Sequence, residues 1–270
     1  MTAPPIEMLL CEPEFFSVDY EINPWMDVND PVDPELAWRQ WRHFRQTLED
    51  LGVRVHLIDP VPGLPDMVFT GDGGVVLGKR FVSSNFRPVE RRPEADQFRE
   101  WFAERGFSVE LMPEDVYFEG LGDVVLDGRT AIAAYGQRTS HDALDHIRAH
   151  FAEFDWIAEL ELVSPLYFHL GISLSLLDDK TGLYVPEAFS EESRDRVRQL
   201  DREMIPVSEE DARGFALNAV VVGRNLVVNF CSKELEAELE ARGFNVIVCD
   251  ASEFVKSGGG TRCLVLPFAR

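Results

Sequence analysis

Gly120-Leu-Gly-Asp-Val-Val-Leu-Asp-Gly128, followed by Thr130-Ala-Ile-Ala-Ala134, is the stretch on which the fold turns. A glycine-rich turn leads into an apolar strand, a tight turn follows, and a second apolar strand returns, which is a hairpin pattern. The same shape recurs in Gly71-Asp-Gly-Gly-Val-Val-Leu-Gly78 with Phe81-Val-Ser-Ser84, and in His169-Leu-Gly-Ile-Ser-Leu-Ser-Leu-Leu177 with Thr181-Gly-Leu-Tyr-Val185. It recurs again in Ala216-Leu-Asn-Ala-Val-Val-Val-Gly223 with Asn225-Leu-Val-Val228. A fifth member, Gly258-Gly-Gly-Thr-Arg-Cys-Leu-Val-Leu266, is expected to pair with the N-terminal strand Glu7-Met-Leu-Leu-Cys11. The members stand about 40 to 50 residues apart, a period that marks a propeller or an array.

Between most members lie a helix and a third strand, so each unit reads ββαβ. Helical patterns run over Glu35–Leu51, Pro93–Arg105, Ser140–His150, Glu191–Glu203 and Ser232–Arg242. In the first, Leu36, Trp41, Phe44, Leu48 and Leu51 share one apolar face. Three of these helices end at Gly52, Gly106 or Gly243, each followed by an apolar strand. The expected architecture is a five-bladed α/β propeller with pseudo-fivefold symmetry, forming a single domain over residues 1–270, with helices outside and the repeated turns near the middle.

Composition narrows the function classes. The chain has 270 residues, 45% of them hydrophobic, enough for a real core. Its net charge of -22 repels phosphate backbones and anionic lipid, so neither nucleic acid nor a membrane is expected as partner. No basic segment precedes the short apolar run Met8–Leu10, and no apolar stretch has the length of a membrane span. The expected location is the cytoplasm. The four cysteines, Cys11, Cys231, Cys249 and Cys263, form no CxxC pair and no metal-ligand spacing with the six histidines. No metal or cofactor is expected. A homodimer is left open.

Convergence of the five turns would bring Asp72, Glu119, Asp123, His169, Asn218 and Cys263 into one cavity. A cysteine, a histidine and several carboxylates from distant segments form a nucleophilic constellation. A thiolate attacks an electrophilic carbon, and a histidine protonates a departing amine and then deprotonates water. One carboxylate supports the charged imidazole, and another binds a planar cation through two hydrogen bonds. The other three cysteines read as inert core residues.

Gly258-Gly-Gly-Thr-Arg-Cys263-Leu, Phe118-Glu-Gly-Leu-Gly-Asp123 and Phe168-His169-Leu resemble, in the right order, three catalytic motifs of a known superfamily. It comprises amidinotransferases, arginine deiminases and dimethylarginine dimethylaminohydrolases, which fold as five-bladed α/β propellers. The resemblance covers Leu10 to Pro267. The segment Cys11-Glu-Pro-Glu-Phe-Phe-Ser-Val-Asp-Tyr-Glu-Ile-Asn-Pro-Trp-Met26 is similar to a bacterial branch that includes arginine dihydrolases and citrulline hydrolases.

The resemblance implies roles. Cys263 is the nucleophile that forms a thiouronium-type adduct, His169 is general acid and then base, and Glu119 supports His169. Asp72 binds the guanidinium. Arg87 and Arg138 match positions that hold the amino acid carboxylate, with Arg91 as a further candidate. Asn23 lies in the branch-specific loop and is expected to line the pocket, and Val18–Pro34 is a candidate lid. Asp123 is assigned to shaping its turn.

Two departures bear on the substrate. Asp72 stands where the arginine and citrulline branch carries asparagine, and a carboxylate suits a cation better than a neutral ureido group. Gly171 replaces a second guanidinium-binding aspartate, which suggests room for an N-alkyl group or for water. Both favour cleavage of arginine or N-methylated arginine, as in dimethylarginine dimethylaminohydrolases. The alternatives are an arginine deiminase or dihydrolase, a citrulline hydrolase, an amidinotransferase, and a non-catalytic binding protein of the same fold.

Overall fold

The computed structural model describes residues 6–127, 130–154 and 156–269. The described residues form five three-stranded sheets built on one plan. In each, the middle strand runs antiparallel to its hairpin mate and parallel to the strand that follows the next helix.

Gly74–Leu77 pairs with Arg80–Ser83, and after the helix Glu94–Glu104 the strand Ser108–Glu110 adds in parallel. The second unit has Val124–Asp127, Thr130–Tyr135, the helix Ala143–His150 and Trp156–Glu161. The third has Leu174–Leu176, Thr181–Tyr184, the helix Glu191–Arg198 and Glu203–Pro206. The fourth has Val220–Val222, Asn225–Val228, the helix Lys233–Ala241 and Asn245–Val248. The fifth joins the two ends of the chain. Glu7–Cys11 lies between Leu266–Ala269, antiparallel, and Arg54–Ile58, parallel, with the helix Pro34–Asp50 connecting.

Local chemistry explains the pieces. Pro34 opens the first helix, and the Asp33 carboxylate caps it by accepting the Leu36 N–H at 3.0 Å. Ala37, Trp41, Phe44 and Leu48 are buried along one face. Gly106 and Gly243, with φ of 76° and 81°, provide the left-handed step that ends a helix and starts a strand.

Two expectations need correction. The last hairpin member does not run through Cys263. Residues 261–264 form a turn, and the strand begins at Leu266, with Leu9 opposite Leu266. The helix from Glu191 stops at Arg198 rather than Glu203, because Glu203–Pro206 pairs in parallel with Thr181–Tyr184. Sheet pairing there overrides helical propensity. No helix among the described residues is long and apolar enough to cross a membrane.

Candidate active site

The turns that open the hairpins meet at short range, and their glycines make this contact feasible. Gly71 donates its N–H to the Cys263 carbonyl at 3.0 Å, and a Cβ on Gly71 would lie 2.9 Å from the Val265 carbonyl oxygen. A Cβ on Gly122 would lie 2.8 Å from the His169 ring and 3.0 Å from Asp72 Oδ1. Any larger residue at either point would push the functional turns apart.

Asp72, His169 and Cys263, brought by three different turns, line one small cavity together with Asn23, Asp66, Arg91, Arg138 and Ser257. Its free volume is about 10 Å³, room for a single water. Among the described residues no group of three or more His, Cys, Asp or Glu is arranged to hold a metal.

His169 is 2% exposed. Its Nδ1 lies 3.2 Å from Asp123 Oδ1, which also accepts the Leu170 N–H at 3.1 Å, while Asp123 Oδ2 accepts the Thr139 N–H at 3.2 Å. A carboxylate can only accept here, so Nδ1 carries the proton toward Asp123. Nε2 lies 3.4 Å from Glu119 Oε2 and 4.0 Å from Asp72 Oδ2, close enough for charge attraction but out of hydrogen-bond alignment. Burial works against the imidazolium, yet Asp123, Asp72 and Glu119 together outweigh it and raise the His169 pKa.

Glu119 is fully buried and accepts Arg138 Nη1 at 2.9 Å and the Arg87 N–H at 3.1 Å. Burial alone would raise its pKa, but Arg138, His169 and Arg91 win and lower it, so the carboxylate is ionised. Arg138 also lies over the Phe168 ring and donates Nη2 to the Ile22 carbonyl at 3.2 Å.

Asp72 Oδ2 accepts Arg91 Nη1 at 2.8 Å. Arg91 is 3% exposed and grips Glu94 through Nε and Nη2, so one guanidinium sits among Asp72, Glu94 and Asp66. Burial pushes both Glu94 and Asp66 up despite Arg91. Asp66 Oδ2 accepts the Tyr20 hydroxyl at 2.9 Å. Asp66 Oδ1, Asp72 Oδ1, His169 Nε2 and Ser257 Oγ are buried cavity atoms with no partner, three of them suited to accept from a planar cation.

Cys263 is 7% exposed. Burial and the facing Asp72 push its thiol up to about 12, against donors from Gly260 and Asn218 and the charge of Arg262. Asn218, fully buried, donates Nδ2–H to the sulfur at 3.2 Å and accepts the Arg262 and Cys263 N–H groups on Oδ1.

Several expectations change. Arg87 does not line the cavity: its Nε donates to the Arg138 carbonyl at 2.9 Å and its guanidinium lies over Tyr117, so it buttresses the site from behind. Arg91 does line it, but is bound to carboxylates. Asn23 lines the cavity and donates to the Ser257 carbonyl at 3.0 Å. Gly171 does not line the cavity, and a Cβ there would meet the Leu121 and Gly122 carbonyl oxygens at ordinary contact distances of 3.4 and 3.5 Å. Asp123, assigned above to its turn, is also the direct partner of the imidazole. Asp66 was missed. Its signal is an acid after Pro65 in an otherwise apolar run, Leu64-Pro-Asp-Met-Val-Phe69, where a buried charge needs a purpose.

The family "N,N dimethylarginine dimethylhydrolase, eukaryotic" matches residues 14–270. The chain is 40% identical to the N(G),N(G)-dimethylarginine dimethylaminohydrolase of Mycobacterium tuberculosis, over 94% of this chain and 83% of that protein. It is 38% identical to the bifunctional arginine dihydrolase/ornithine cyclodeaminase ArgZ of Synechocystis, over 97% of this chain but 37% of that protein. The crystal structure of the ArgZ N-terminal domain bound to substrate superimposes with a TM-score of 0.93 at 36% identity, covering 98% of both chains. A structure of a dimethylarginine dimethylaminohydrolase adduct shares the fold, with a TM-score of 0.77 at 20% identity. Sequence and fold together establish that the chain belongs to the dimethylarginine dimethylaminohydrolase family of hydrolases.

Proposed function

We propose that this hydrolase cleaves the guanidine C–N bond of arginine or N-methylated arginine, converting dimethylarginine to citrulline and dimethylamine. The observation that carries the reading is a buried cavity in which two carboxylate oxygens, on Asp66 and Asp72, lack partners beside Cys263 and His169. A guanidinium supplies the missing donors.

The thiol of the free enzyme is neutral at physiological pH, since burial and Asp72 oppose its ionisation. A bound guanidinium brings positive charge next to Asp72 and favours the thiolate, the thiol proton passing to solvent. The sulfur then attacks the guanidine carbon. His169, favoured in its protonated form by three acids, gives its Nε2 proton to the departing amine, leaving a thiouronium adduct on Cys263. Neutral His169 next takes a proton from water. The hydroxide adds to the same carbon, the C–S bond breaks to return the thiolate, and the protonated ureido group releases its extra proton to solvent as the product forms. Asp123 holds the ring with Nε2 toward the cavity throughout. Arg138 and Asn23 line the cavity, which supports a role for Arg138 in meeting the amino acid carboxylate and for Asn23 at the entrance. The cavity is too small for arginine, so Val18–Pro34 acts as a lid that opens first.

At the scale of the fold, five like sheets support a five-bladed propeller with pseudo-fivefold symmetry, a single catalytic domain over 1–270. We place it in the cytoplasm, as a monomer or homodimer.

Arginine dihydrolase activity is the second reading, favoured by the likeness to ArgZ. A panel of dimethylarginine, arginine, agmatine and citrulline, assayed for citrulline, ornithine, dimethylamine and ammonia, separates them. Dimethylamine and citrulline are expected from dimethylarginine. Ornithine and ammonia from arginine alone would establish the second reading, and turnover of citrulline alone would refute the role of Asp72. Cys263→Ser should abolish turnover and retain substrate binding by calorimetry. Full activity in that variant refutes the covalent route.

A further inference from the structure

The side chain of Asn218 touches both halves of the catalytic pair. Nδ2 donates to the Gly171 carbonyl at 2.8 Å, within the turn that His169 opens, and to Cys263 Sγ at 3.2 Å. Oδ1 accepts the Arg262 N–H at 3.0 Å and the Cys263 N–H at 3.2 Å. An asparagine amide offers two donors and two acceptor sites, and here all four are used in full burial. The arrangement also fixes which way the amide points. Flipped, the oxygen would face a carbonyl oxygen and the sulfur, and the NH₂ would face two N–H groups. Space for this close approach comes from Gly260, where a Cβ would stand 2.9 Å from Asn218 Oδ1.

Full satisfaction is the rule for a buried amide, so the choice of partners is the informative part. Two backbone N–H groups could be satisfied by a carbonyl or a water, whereas a donor aimed at sulfur gains little from a neutral thiol, a weak acceptor, and much more from a thiolate. The groups that face Cys263 are Asp72 from the turn Thr70–Gly73, His169 from the next-but-one turn, and Arg262 from its own turn. Asp72 opposes a thiolate. Arg262 extends to the Val124 carbonyl, 3.5 Å from Nη2. Asn218 is therefore the donor that contacts the sulfur directly without adding charge, so it does not repel an incoming guanidinium.

We propose that Asn218 is a catalytic residue: its amide N–H holds the Cys263 thiolate formed during the reaction, and its bond to Gly171 keeps that sulfur in register with His169. This rests on the reading of Cys263 as nucleophile. A hydrogen bond to the charged form lowers the cost of forming it. No atom or charge beyond those in the mechanism is needed, since the amide keeps its proton throughout.

The test is the pH dependence of Cys263 alkylation by iodoacetamide, a neutral reagent, followed by mass spectrometry of the labelled peptide. Asn218→Ala removes the donor without introducing charge. Its alkylation midpoint is expected to rise by about one pH unit, with the rate at neutral pH falling about tenfold. In steady state, kcat should fall at least tenfold while KM changes little. Should the alanine variant not fold, Asn218→Ser serves: it keeps a polar side chain but lacks the amide N–H, and the same upward shift is expected. A folded variant whose midpoint matches the wild-type protein overturns the inference. Failure of the unmodified protein to label at Cys263 at any pH would instead overturn the nucleophile assignment itself.

Discussion

Asp123 and Asp72 are both short acids in glycine-rich turns, yet their partners give them different work. Asp123 is locked to the imidazole and to two backbone N–H groups. Its charge raises the His169 pKa, so its loss lowers it. Asp123→Asn should cut kcat about 100-fold, and the limb of the pH–rate profile that reports loss of the imidazolium should move to lower pH. An unmoved limb would show that another acid governs His169. Asp72 has one oxygen held by Arg91 and one open to the cavity. Asp72→Asn should raise KM for cationic guanidines by roughly tenfold or more, the scale of one charged hydrogen bond. Comparing KM for arginine and dimethylarginine in the two proteins checks it. At this scale the sequence is most readable where a reactive residue type stands at the head of a repeat, as for His169 and Cys263. It is least readable where the distinction depends on direction. Arg87 and Arg91 are four positions apart, and only the three-dimensional arrangement sends Arg91 to the carboxylates and Arg87 to a carbonyl behind the site.

The turns themselves are the next level. Gly122 has an ordinary backbone conformation but no room for a side chain, because a methyl group would strike the His169 ring. Gly122→Ala should therefore damage activity far more than stability. A loss of kcat of about 100-fold is the size expected from a small displacement of a catalytic group. The check is kcat beside the melting temperature; equal loss of both would mean that the turn collapses. The hairpins were legible because an apolar run between glycines has few other uses, and the apolar face of the first helix was legible for the same local reason. Misreadings fell where long-range pairing decides. Residues 199–203 read as the end of a helix, but the helix stops at Arg198 and Glu203 opens a strand because Thr181–Tyr184 lies beside it. The turn at 261–264 looks like a strand, and bends because Asn218 and Gly71 claim its backbone groups.

For the whole molecule, 48 acidic against 26 basic side chains leave a net charge of -22. The field draws cations inward from several ångströms, and salt screens it over a Debye length of about 8 Å at physiological ionic strength. For arginine or dimethylarginine, kcat/KM should fall as ionic strength rises from 0.01 to 1 M, roughly severalfold, while kcat stays level. A stopped-flow series in sodium chloride measures it, and a flat response would mean that only the buried acids act on the substrate. One feature of the architecture reaches further. Leu266–Ala269 is hydrogen-bonded to Glu7–Cys11, and Cys263 lies just ahead of that closing strand. Glu7–Cys11 must wait for Leu266–Ala269 before its sheet is complete, and a contact so distant along the sequence makes for slow folding. A chain broken anywhere between these two strands therefore loses its clasp, and one that stops short of Cys263 loses the reactive sulfur as well, so such fragments carry no stray activity.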